Sequence, residues 1–482
     1  MSTAEAVMGP AGLVRRADDQ AAVLNADAAA VAAGGTVDII DEIFGGADKR
    51  EKFIPVTAQA IMDRLTRPQA WPGNEAQQAR KMFRYLNHWR RQSYSAKLLD
   101  IERTYEPFSP DSDLLITRKF SDAERAVMQK RLVGQLHDLL QQANYVRIDP
   151  AKVDQILTKE SHYGLDLHVD LEAFDELAIY YSGATKLTGL RRNLRQLFLR
   201  KEEFDVPIFQ RLCVVFKLKT EDVRLREIMA RDRCERDAAE KIYSRVKGMM
   251  APQIKTEFVY LKLFKNIPRS DLEMIFPNTR IKFRMRDKLK LGATAGGGLA
   301  TAFGTAAKLI AATNPITLAV GAVGLGGIAF RQVMGFVNQR NKYMVTMAQN
   351  LYFHAMADNR GVMTLLAERA AEEDVKEEML LYSVLAKETV NRRELPDIDV
   401  AIEHFMRNTF GVHINFDIED ALGRLIQDGL VTEQPDGNLL TRPPALAASH
   451  IDKLWDQLLD DLPDHVAEEG VEFDDEPDRP SA

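Results

Sequence analysis

Gly324 to Ala329, GLGGIA, satisfies G-x-G-x-x-A after an apolar run. In a strand–turn–helix, that spacing brings backbone amides against a pyrophosphate, so the chemistry would be dinucleotide binding. The fingerprint also needs an acid about twenty residues on to hold a ribose hydroxyl. The following NQRNKYMVTMAQN offers none, the next acid is Asp358, and no second βαβ unit follows. Gly304 is followed by Thr305 rather than by Lys-Ser or Lys-Thr, so a phosphate loop fails on spacing. No cofactor is expected.

The nine histidines are scattered. His162 and His168 flank YGLDL without metal-ligand spacing, and no second ligand pair accompanies them. Asp166 and Asp170 form a carboxylate pair of the kind used for acid–base work, but a loop before a strand is usually acidic for solvation. No G-x-S-x-G, H-E-x-x-H or Cys-centred nucleophile pattern occurs. No catalytic or metal-binding residue is therefore assigned. ARKMFRYLNHWRRQSY interleaves Arg80, Lys81, Arg84, Arg90 and Arg91 with Phe83, Tyr85 and Trp89. Such a stretch could stack on single-stranded nucleic acid. Amphipathic core packing gives the same spacing, and the sequence favours that reading.

The elements that would position these residues divide the chain. Its 482 residues, net charge of −7 and 45% apolar content suit several ordinary domains. Two cysteines, Cys213 and Cys234, are too few for a disulfide framework and point to a reducing compartment. Residues 1–37 read as an Ala-rich disordered tail with no sustained apolar core for a signal peptide. Residues 38–290 read as a cytoplasmic α+β domain. Its helices include VTAQAIMDRL, with Ile61 and Leu65 on one stripe, and a helix placing Met82, Leu86 and Trp89 on one face. Another is capped by the Ser121/Glu124 capping box. DELAIYYSGAT, IFQRLCVVFKLK and FVYLKLFKNIP then read as strands of an antiparallel sheet, with one charged helix from about Glu221 to Lys247 between the last two. RIKFRMRDKLK alternates, so Arg280, Lys282, Arg284, Arg286, Lys288 and Lys290 share one strand face.

From Leu291 the chain is nearly uncharged and rich in glycine. About 20 helical residues rise roughly 30 Å, the thickness of a bilayer core. Asn314-Pro315 breaks the stretch, so a transmembrane hairpin of helices 291–313 and 315–336 is expected. Gly292, Gly296 and Gly304 would form a close-packing face on the first helix, with Gly321 and Gly324 on the second. A buried soluble hairpin of two Ala/Gly-rich helices is the alternative. Bases crowd both flanks, which places both termini in the cytoplasm, and the basic strand would contact anionic lipid headgroups.

REKFIPVT (Arg50 to Thr57), HVDLEAFDELAIYYSG (His168 to Gly183), FQRLCVVFKLK and the run from Tyr260 to Gly292 carry a resemblance. Together with the glycine-rich hairpin, they are similar to the domain of unknown function 3754 family, over about residues 40–390. That family includes the eukaryotic transmembrane protein 143. The resemblance implies a multi-pass membrane protein, in the inner membrane of bacteria or in mitochondria of eukaryotes. It implies no activity and no catalytic residues.

Residues 337–373 read as a helical connector. Residues 374–445 give helix, helix, strand VHINF, helix and hairpin, the order of a winged helix. Asp417 caps its third helix and Pro-Asp-Gly closes its wing. Residues 446–482 read as a short helix and an acidic disordered tail. The third helix carries Glu419, Asp420 and Asp428 against Arg424 alone, which argues against phosphate contacts. The sequence thus describes a membrane-anchored scaffold or regulator, whose partners are lipids, other proteins and a second copy through the glycine faces. An uncharacterised enzyme and a membrane-tethered DNA-binding regulator are the alternatives. The C-terminal module is expected to fold on its own.

Overall fold

Antiparallel pairing of long β-rich runs builds the centre of the protein. The computed structural model describes residues 43–44, 50–112, 120–157, 166–192, 201–247, 254–277, 280–282 and 354–457. The helices are α1 (Ala58–Leu65), α2 (Glu75–Tyr105), α3 (Asp122–Gln142), α4 (Glu221–Asp232) and α5 (Arg236–Lys247), followed by α6 (Asn359–Leu385), α7 (Leu395–Phe410), α8 (Ile418–Gln427) and α9 (Pro444–Gln457). The strands are β1 (Val146–Arg147), β2 (Asp166–His168), β3 (Phe174–Arg192), β4 (Lys201–Leu218) and β5 (Tyr260–Pro268), followed by β6 (Arg280–Lys282), β7 (Ala355–Asp358), β8 (Val390–Asn391), β9 (Val431–Glu433) and β10 (Asn438–Thr441).

The main sheet runs β1-β3-β4-β5-β7, every neighbour antiparallel. One face meets α2, α3 and α6 through Tyr180, Cys213, Val215, Leu261 and Leu263. The other carries Ile179, Phe209, Val214, Phe216 and Phe264 against Leu272 and Ile275 of the short helix after β5. Period-two alternation along β4 explains both faces, since Cys213 and Val215 point one way and Val214 and Phe216 the other.

The α2 helix, 31 residues long, and α6, 27 residues long, tie the sheet to the C-terminal module. The N-terminal half of α6 (Val362, Leu366, Ala370) belongs to the sheet core. Its C-terminal half (Val375, Met379, Tyr382) enters a second core with α1, the start of α2, α7, α8 and α9. The helix is thus continuous through residue 374. The module shares its core with Ile61, Met82 and Leu86, so it is built as part of a larger unit.

Several expected elements are present with altered limits. Ser121 and Glu124 form the capping box on α3, and the Asp417 side chain accepts from Asp420 N–H at the start of α8. The charged helix 221–247 is two helices, because Arg233 adopts a left-handed φ of 49° between them. VHINF forms no strand. It contributes a bridge from Ile414 to Glu51, and the small sheet is completed by β8, in the order β8-β10-β9. Of the basic strand, only β6 is described, its backbone paired with β2.

The transmembrane hairpin is corrected. Among the described residues no helix is long and apolar enough to cross a membrane. The multi-pass, inner-membrane reading, with both termini cytoplasmic, falls with it. Absence of charge had stood in for apolarity, yet favourable transfer rests on Leu, Ile, Phe and Val, and this stretch is dominated by glycine and alanine. Residues 291–336, including Gly292, Gly296, Gly304, Gly321 and Gly324, lie outside the described residues, as do Arg284, Arg286, Lys288, Lys290 and GLGGIA.

Candidate functional sites

The most unusual chemistry sits where the two long helices meet the winged-helix-like module. The central turns of α6 read EEDVKEE, and Glu373, Asp374, Lys376, Glu377 and Glu378 are all buried. Two guanidiniums answer these carboxylates. Arg424 of α8 reaches Glu377 at 2.6 Å, Glu378 at 2.9 Å and Asp374 at 3.3 Å, and also pairs with Asp420. Arg90 of α2 reaches Glu378 at 2.7 Å and pairs with Asp428. Tyr94 donates to Asp374 at 2.8 Å and Asn144 to Glu377 at 3.1 Å.

Three buried carboxylates (Asp374, Glu377 and Glu378) and the half-buried Asp428 thus share two guanidiniums. Burial pushes Glu377 up to about 8 and Glu378 to about 7, outweighing the pull of Arg424 and Arg90. Asp374 is raised for the same reason. Beside this cluster, Glu373 and Lys376 bond each other at 2.7 Å and hold one residue of the N-terminal segment. Ile54 N–H donates to Glu373 at 2.9 Å, and Lys376 donates to Ile54 C=O at 2.7 Å. The pair satisfies a buried peptide unit as a neighbouring strand would.

This geometry decides what α8 shows outward. Arg424 and Asp428 point inward, with side chains 12% and 9% exposed. Glu419 and Asp420 remain outside at 60% each. The nearby Arg392 is committed to Glu419 at 2.6 Å and Glu433 at 2.7 Å. The helix that would enter a DNA groove therefore presents acids.

Comparison with known proteins bears on the sheet. Residues 174–361 match the family model described as a protein of unknown function, DUF3754. Those residues carry the domain of the DUF3754 family. No solved structure matches it. The match is narrower than the 40–390 that the sequence suggested: it opens at the first residue of β3 and closes just inside α6. The DUF3754 segment is thus the sheet with α4 and α5, and the winged-helix-like module lies beyond it.

A cavity of about 660 Å3 lies between the sheet end and α4–α5. It includes Asp170, one of the candidate acids. Arg224 donates to Asp170 at 2.6 Å and to Glu227 at 3.0 Å. Lys219 holds Glu227 at 2.6 Å, lowering its pKa, and Lys247 holds Glu221 at 3.0 Å. These groups answer each other, so the cleft reads as an ion-paired joint. Asp166 lies in β2 opposite Lys282, and His168 opposite Arg280. His162 lies outside the described residues.

Cys213 is buried in the DUF3754 sheet, and burial alone pushes its thiol up to about 12, far from a reactive thiolate. Both cysteines are free. In the basic-aromatic stretch, Phe83 is fully buried and Trp89 packs against the same core. Arg90 is buried in the charge cluster, and Arg80 is spent on Asp63 and Thr66. The stacking surface that nucleic acid would need is turned inward.

Proposed function

We propose that this DUF3754 protein is a non-enzymatic scaffold that binds protein partners through its C-terminal winged-helix-like module. The observation that carries this is the inward turn of Arg424. A groove-reading helix needs bases facing phosphates, and α8 spends its one base on Asp374, Glu377 and Glu378. What remains outside is Glu419 and Asp420, in a module that also exposes Leu440 at 60% and is followed by α9, which exposes Leu446 and Trp455 at 61% and 45%. Outward acids together with exposed Leu and Trp side chains suit a protein surface, where aromatic anchors carry much of the binding energy.

The test uses the full chain with a photo-crosslinking residue placed at Leu440 or Trp455, and at exposed Val127 of α3 as control. A discrete protein adduct is expected from the module positions and not from Val127, and Glu419→Lys should diminish it. Equal labelling at all three positions would refute the reading.

A further inference from the structure

We propose that the cavity between the 53–57 segment, the sheet and α6 binds a small oxyanion, a phosphate or a carboxylate. It encloses about 270 Å3, below the roughly 300–1,000 Å3 of drug-sized pockets.

Three strands are deformed at one rung to make it. Between β3 and β4, Ser182 pairs Arg211 and Ala184 pairs Phe209, while Gly183 and Gln210, facing each other between them, form no ladder pair. Between β4 and β5, Arg211 pairs Lys265 and Phe209 pairs Ile267, while Gln210 and Asn266 face each other without a ladder pair. Gly183 has φ +77° and Asn266 has φ +50°. A left-handed non-glycine residue costs about 1–3 kcal/mol, held only where the surroundings impose it.

The deformation collects polar side chains without partners. Ser182 is buried, yet its hydroxyl has no hydrogen bond among the described residues; nor do the amides of Gln210 and Asn266. Arg211 reaches only the carbonyl of Gln210, at 3.0 Å. The carboxylate of Glu373 stands 3.7 Å from Arg369, beyond hydrogen-bond length, and is already held by Lys376 and Ile54 N–H. Charge fixes the ligand's sign. Arg211, Arg369 and Lys376 face Glu372 and Glu373, an excess of one positive charge. Two guanidinium forks, a hydroxyl and two amides match an oxyanion's acceptors. Glu372 would take a hydroxyl or protonated oxygen of the same ligand.

The experiment is calorimetric titration of the full chain with inorganic phosphate, and separately with malonate, chloride holding ionic strength constant. Saturable one-to-one binding of at least one is expected. Arg211→Gln and Arg369→Gln should each weaken it at least tenfold, and exposed Arg407→Gln should not. Circular dichroism confirms folding, and Arg369→Gln, on the rim, covers the case in which the strand variant fails to fold. Saturation by neither anion, or binding unchanged in Arg369→Gln, would overturn the proposal.

Discussion

Arg424 Nη2 lies 2.6 Å from Glu377 Oε2, the carboxylate buried and the arginine side chain 12% exposed, joining the third helix of the winged-helix-like module to α6. Breaking a buried pair leaves the other charge without compensation, which typically costs about 3–5 kcal/mol. Arg424→Ala would remove the guanidinium that answers Asp374, Glu377 and Glu378. We expect a loss at the upper end of that range in urea denaturation at pH 7, against less than about 0.5 kcal/mol for exposed Arg407→Ala. Similar losses for both would mean that the cluster is not what holds the module.

Stability should also fall as pH rises. Glu377 is raised to about 8 and Glu378 to about 7 by burial. A carboxyl whose folded pKa lies above its unfolded value binds more protons when folded. Its contribution is complete below the unfolded pKa, near 4.5, and is lost as pH climbs through the folded value. Between pH 5 and 8.5 the urea midpoint should therefore decline, and Glu377→Gln should flatten the decline. A midpoint that rises over this interval would reverse the assignment.

Gly183 is fixed by space as well as by angle. An added Cβ would lie 2.6 Å from Gln210 Oε1, on a backbone at φ +77°. Gly183→Ala should cost about 1–2 kcal/mol from the left-handed backbone alone. Gln210→Ala should restore only the steric part, so the double variant stays below wild type in thermal unfolding. Full restoration would show that the left-handed backbone at Gly183 is not what excludes a side chain.

The sheet was legible because β-branched and aromatic residues alternate along β3, β4 and β5, and alternation says which side chains share a face. The wing and the caps at Ser121 and Asp417 were legible because local bonds stabilise them. The charge cluster was not. EEDVKEE reads as a solvated helix face, and only its meeting with Arg90 and Arg424, from distant parts of the chain, turns it inward. The same contact removed Arg424 and Asp428 from the outer surface, where periodicity had placed them. The cavity beside Gly183 was equally hidden, because a rung left unpaired across three strands depends on how distant segments meet. The glycine-rich stretch misled because lack of charge was read as lipid affinity.

The central claim is that the C-terminal module meets proteins and not DNA. Duplex DNA titrated with the full chain at low salt, followed by gel retardation, tests it most directly. With Arg424 buried and Glu419 and Asp420 outward, no retardation is expected, and Glu419→Lys/Asp420→Lys should introduce it. A micromolar shift by the wild-type chain, weakening steeply as salt is raised, would contradict the account.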